Sequence, residues 1–136
     1  MRYLILAAIC ALIPMAVNAQ AYRAVNGLIV VPLSNGDFEV IEARGEGARG
    51  LWCAAADYAL GWAGGQRAER LYVKRARASA LTAPGHKGVV FTLDGERLGT
   101  RPSRSYSVSV RQVGESLPLH HAYQFCKDFI IEPDDF

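Results

Sequence analysis

Cys53 and Asp57 stand four residues apart in the stretch GLWCAAADYALGWAGG, residues 50–65. On a helix that spacing puts a thiol and a carboxylate side by side. A nucleophilic cysteine needs a base or positive surroundings to become a thiolate. A carboxylate next door disfavours that anion, and no histidine is close in sequence. The remaining titratable candidates are His86, His120 and His121. His120 and His121 are adjacent, so they diverge by about 100° on a helix or face opposite ways on a strand. Neither arrangement is the i, i+4 histidine pair of a helical zinc site. A small enzyme or metal-binding protein using His86, His120 or His121 with Asp57 or Asp128 is the alternative reading, although no spacing requires it. Ser105, Ser107 and Ser109 recur every second residue, without a Gly-x-Ser-x-Gly elbow or a Ser-x-x-Lys pair. The glycine-rich GEGARG and GWAGGQ lack the Lys-Ser/Thr of a phosphate loop. No motif asks for an organic cofactor or a metal. These residue types favour a binding module over an enzyme.

Charge is distributed unevenly. Between Arg67 and Arg111 ten basic residues face three acids, a net +7. From Gln112 to Phe136 one lysine faces five acids, a net −4. A basic segment of this kind attracts anions through its field. Arg70, Lys74, Arg75, Arg77 and Arg111 are the candidate anion- or partner-binding residues. The competing reading is an acidic C-terminal tail folded over the basic segment.

Several elements are available to position these groups. Gly27–Leu33 is an apolar run ended by Pro32, and Asp37–Arg44 follows after SNGD. Asn35-Gly36 supplies the positive-φ residues of a tight turn, so the two runs read as a β-hairpin. Leu51–Ala63 reads as a helix, because Trp52, Ala55, Ala56, Ala59 and Trp62 share one face of a 3.6-residue period. Gly64-Gly65 is its stop. The alanines allow close approach to a sheet, and both indoles are expected at that interface. Asp57 is left either as an exposed helix residue or as a buried partner for an arginine.

Three further strands are expected. They are Arg70–Ala76, Lys87–Asp94 with Val89, Phe91 and Leu93 on one face, and Ser105–Val113 with Tyr106, Val108 and Val110 inward. DGERLGTRPSR has room for one helical turn. Leu119, Ala122, Tyr123, Cys126, Phe129 and Ile130 match helical spacing, with Ser116 as cap and Pro118 in the first turn. The aromatic AYQFC also has strand character, and helix is the favoured reading. The order β-β-α-β-β-β-(α) predicts an α+β domain, a mostly antiparallel sheet of about five strands with one main helix on it.

The chain opens MRYLILAAICALIPMAVNAQ, with Arg2, an apolar stretch from Tyr3 to Ile13, a break at Pro14, and Val17-Asn18-Ala19 before Gln20. This is the pattern of a cleavable export leader, shorter in its apolar part than a membrane span. It predicts a leader over 1–19, a single exported domain over 20–131, and an acidic tail over 132–136. No later segment is apolar enough to span a membrane. Of Cys10, Cys53 and Cys126, the first would leave with the leader. The remaining pair, in an oxidising compartment, is expected to form a disulfide.

GLWCAAADYA, RLYVKRAR, SVSVRQVGESLP and HAYQFC together resemble a group of small uncharacterised secreted bacterial proteins. The resemblance spans most of the chain that follows the leader and implies export, without an activity or site residues. The combined expectation is a periplasmic or extracellular domain binding an anionic envelope component or an acidic protein. Its compartment argues against nucleic acid.

Overall fold

The Asn35-Gly36 turn folds the first apolar runs into the expected hairpin. Strand β2 (Ile29–Pro32) pairs antiparallel with β3 (Phe38–Ile41), with Val30 opposite Val40. Gly36 takes φ +88°, and the Asn35 side chain accepts from the Asp37 amide at 3.1 Å. Pro32 closes the ladder opposite Phe38, where its missing N–H costs least. The computed structural model describes residues 20–43, 45–103 and 107–130. The leader expected over 1–19, the tail over 132–136, Arg44, and Arg104, Ser105 and Tyr106 lie outside the described residues.

Helix α1 (Gly47–Gly61) follows. Strands β4 (Arg70–Ser79) and β5 (Lys87–Thr92) then form a second hairpin, and Gly95–Leu98 makes the expected single turn of 3₁₀ helix. The six-stranded sheet runs β1-β2-β3-β5-β4-β6, antiparallel throughout. Its two edges are short strands that sequence reading missed, β1 (Tyr22–Arg23) and β6 (Ser116–Pro118). Two or three residues carry too little pattern to show a period. The chain is therefore an α+β fold with one more strand than expected, one main helix, and a second helix α2 (Leu119–Gln124).

The core lies between the sheet and α1. Phe38, Val40, Leu71, Val73, Val89 and Phe91 face Trp52, Ala55, Ala56 and Ala59. Trp52 is fully buried, with its ring 5.0 Å from that of Phe91, and its indole N–H donates to the Val108 carbonyl at 2.8 Å. Six successive residues, Leu51–Ala56, are buried, which covers the helix all the way round. Its second neighbour is α2, and just past α2 Cys126 is joined to Cys53 across a Cα–Cα distance of 5.1 Å. The expected staple is thus present. Gly65 lets the chain leave the helix: a Cβ there would lie 2.8 Å from a Leu119 methyl and 3.0 Å from the Ala59 carbonyl. Among the described residues no helix is long and apolar enough to cross a membrane.

Three expectations are corrected. Trp62 does not join the buried helix–sheet interface, and its ring meets that of the edge-strand residue Tyr22 at 5.9 Å. It caps α1 after the last helical residue and is 70% exposed. Ser107–Val113 is not a strand. Ser107 and Ser109 instead accept the amides of Ser109 and Arg111 on their own hydroxyls, at 3.1 and 3.2 Å. Local side-chain bonds of this kind compete with a ladder. Val110 still turns inward and is buried, and Val108 packs against the core. Ser116 does not cap α2, because Ser116–Pro118 is spent on pairing with Arg70–Tyr72. Pro118 itself occupies the N-cap position.

Candidate functional site

Side chains alternate across β4, so Leu71 and Val73 enter the core while Arg70, Tyr72 and Lys74 point to the outer face of the sheet. A register shift between Val73 and Arg75 brings Arg75 to the same side, opposite Val90. The five basic residues therefore divide into two groups. Arg70, Lys74 and Arg75 share the outer face. Arg77, within β4, and Arg111 share a groove of about 300 Å³ that also touches Glu42 and the α1 residues Gly47, Ala48 and Leu51. There Arg77 is paired with Glu42 at 2.7 Å. Arg70 donates to the Ser116 hydroxyl at 3.0 Å, and Arg75 to the Ser79 carbonyl at 2.8 Å.

Lys74 bonds Asp37, a carboxylate only 1% exposed on the outer face. Arg97, from the 3₁₀ turn, reaches the other Asp37 oxygen at 2.6 Å and the Asn35 carbonyl at 2.6 Å. Burial alone would push the Asp37 carboxyl up. Bonds from Lys74 and Thr92 and the charges of Lys74 and Arg97 prevail, holding it below its ordinary 3.8. Beside this cluster lies an open groove of about 670 Å³, bordered by Tyr72, Gly95, Glu96, Thr100 and Arg101. Sequence reading did not single out Asp37, Arg97 or Arg101. Their grouping depends on a pairing 60 residues apart, which no local pattern announces.

The histidines are not brought together. His86 sits in the turn after β4, with its carbonyl accepting from Ala80 N, whereas His120 N bonds Arg67 just before β4 begins. The ten residues of β4 separate them, about 30 Å of strand. His120 Nδ1 lies 2.9 Å from the Arg67 carbonyl, and the His121 ring lies 5.9 Å from that of Phe125. Among the described residues no three His, Cys, Asp or Glu side chains are grouped to hold a metal.

Asp57 has neither of the roles expected for it. It is half-buried, and its Oδ2 accepts the Tyr22 hydroxyl at 3.0 Å and the Val25 amide at 2.9 Å. It thus fastens the β1 region to α1. Above it Tyr22, Tyr58, Trp62 and Pro32, with Gln20 and Ala21, line a cleft of about 250 Å³. Burial first, and then Asp57, push the Tyr22 phenol up to about 12.

No family model, curated protein or solved structure matches this chain.

Proposed function

We propose that the chain is an exported, disulfide-closed binding domain, periplasmic or extracellular, that engages an anionic envelope component or an acidic protein. The leader-like residues 1–19 and the Cys53–Cys126 bond support export, since such bonds persist in oxidising compartments. The observation that carries the binding reading is the outer face of β4. There Arg70, Lys74, Arg75, Arg97 and Arg101 stand against Asp37, Glu39, Asp94 and Glu96, five cations to four acids, beside an open groove of about 670 Å³. Asp37 fixes two of the cations in place, so the surface is held in shape before a partner arrives. Arg111 adds a further cation beside Arg77, whose own charge is matched by Glu42.

Purified protein is tested for binding to envelope fractions from about 0.05 to about 0.5 M salt. Binding is expected to fall steeply across that range. Joint reversal of three cations, Arg70→Glu, Arg75→Glu and Arg101→Glu, is expected to weaken it by at least about tenfold. Binding that ignores both salt and charge reversal would refute the proposal.

A further inference from the structure

The cleft at Tyr22 lies at the β1 edge, separated from β4 by β2, β3 and β5, and the anion-binding surface makes no use of it. We infer that it is a binding site for a compact organic cation, a quaternary or alkylated ammonium head group. Three electron-rich rings form its walls. Tyr22 and Tyr58 have centroids 5.6 Å apart with planes inclined at 60°, and Tyr22 and Trp62 are 5.9 Å apart, also at 60°. Rings meeting at such angles make the sides of a box. A sugar ring stacks best on a flat platform, whereas a tetrahedral ammonium turns positive CH surface toward several π-faces at once.

The charges agree with this occupant. No lysine, arginine or histidine is among the lining residues. The Asp57 carboxylate stands behind Tyr22 and takes its phenolic proton in a hydrogen bond. That bond enriches the ring in electron density and places a negative charge one side chain away from the cleft. The volume, about 250 Å³, is below the roughly 300 Å³ at which pockets for whole drug-sized ligands begin, and so suits a head group. Two of the walls are also held in place: Tyr58 packs on Phe38 of the core at 4.7 Å, and Tyr22 is bonded to Asp57 at 3.0 Å. The Trp62 indole is nonetheless open to solvent, so the cleft is accessible.

The test is a fluorescence titration of the purified protein with choline and with 3,3-dimethylbutan-1-ol, which has the same shape without the charge. Trp62 is the exposed reporter, since Trp52 is buried. Choline is expected to bind saturably and roughly threefold to thirtyfold more tightly than the neutral alcohol. Asp57→Asn, which keeps one oxygen to accept from Tyr22 and Val25, should reduce that preference for choline over the alcohol. Trp62→Leu, at an exposed position, should abolish choline binding, read by calorimetry, with the circular dichroism spectrum intact. Equal affinity for the two probes, no saturable binding of choline, or choline binding that survives Trp62→Leu would each overturn the inference. The β4 surface is untouched by all of these variants, so the two readings fail separately.

Discussion

On the helix side of the sheet, Phe38, Val40, Val89 and Phe91 meet Trp52 and the alanines of α1. On the opposite side, at the intervening positions of the same strand segment, the carboxylates of Asp37 and Glu39 are buried just as deeply, at 1% and 0% exposure. The apolar side needs only volume and shape. The acidic side needs a named partner for every oxygen, because an unpaired buried charge is costly. Asp37 finds two cations. Glu39 finds no cation among the described residues; it accepts the amides of Leu81 and Thr82 at 2.8 and 2.9 Å and the Thr82 hydroxyl at 2.6 Å. Glu39 thereby draws the β4–β5 turn down over the sheet. Gly88 leaves room for it, since a Cβ there would stand 3.1 Å from the carboxylate. Two acids one pleat apart thus do different work, one fixing cations at a surface and the other fixing backbone.

The contrast can be probed by substitution. Phe91→Ala on the apolar side should cost about 4 kcal/mol, spread through the whole domain, and shift the denaturant midpoint accordingly. A cost below about 1 kcal/mol would show that the helix side is not the main source of stability. Glu39→Gln should cost less, about 2 kcal/mol, because an amide group cannot accept from all three donors. Its mark should be local: faster hydrogen exchange at Leu81 and Thr82, with the exchange of α1 unchanged. Uniformly faster exchange would erase the distinction between the two sides.

Asp37→Asn should show the smallest effect, and one that depends on pH. The Asp37 carboxyl is held below its ordinary 3.8 in the folded chain. The stability it adds is therefore complete above that ordinary value and is lost as pH falls toward and through the folded value. Wild type and Asp37→Asn should differ most near neutrality and converge as pH falls through 3.8 and below. A gap that stays constant down the acid limb would show that Asp37 acts through shape and not through charge.

The apolar side was legible in the sequence for a physical reason. Alanine spacing, the Asn35-Gly36 turn and alternation in β4 and β5 are local, and each reports a face that must leave water. The same rule misled at Ser107–Val113, where alternation survives as inward valines but the serine hydroxyls take amides that a ladder would need. It misled again at Trp62, one residue past the helix, where the 3.6-residue period no longer applies. DFEV alternates as a strand with one wet face does, yet its acids are covered by a loop and a 3₁₀ turn from 40 to 60 residues away. The Tyr22–Asp57 bond and the cleft above it belong to the same class, 35 residues apart and joined only by folding.

The Cys53–Cys126 bond also decides how the molecule answers to force. A pull applied at Gln20 and Ile130 passes through the sulfur bridge and bypasses the chain between the two cysteines, a sequence separation of 73. Roughly 250 Å of contour length, including all of β4 and β5, stays slack under such a load. Only the β1–β3 hairpin region, the start of α1 and the last few residues bear tension. The basic strand and its groove therefore sit inside a closed ring that carries no load, while Asp37, which fixes Lys74 and Arg97 there, lies on the loaded path outside it.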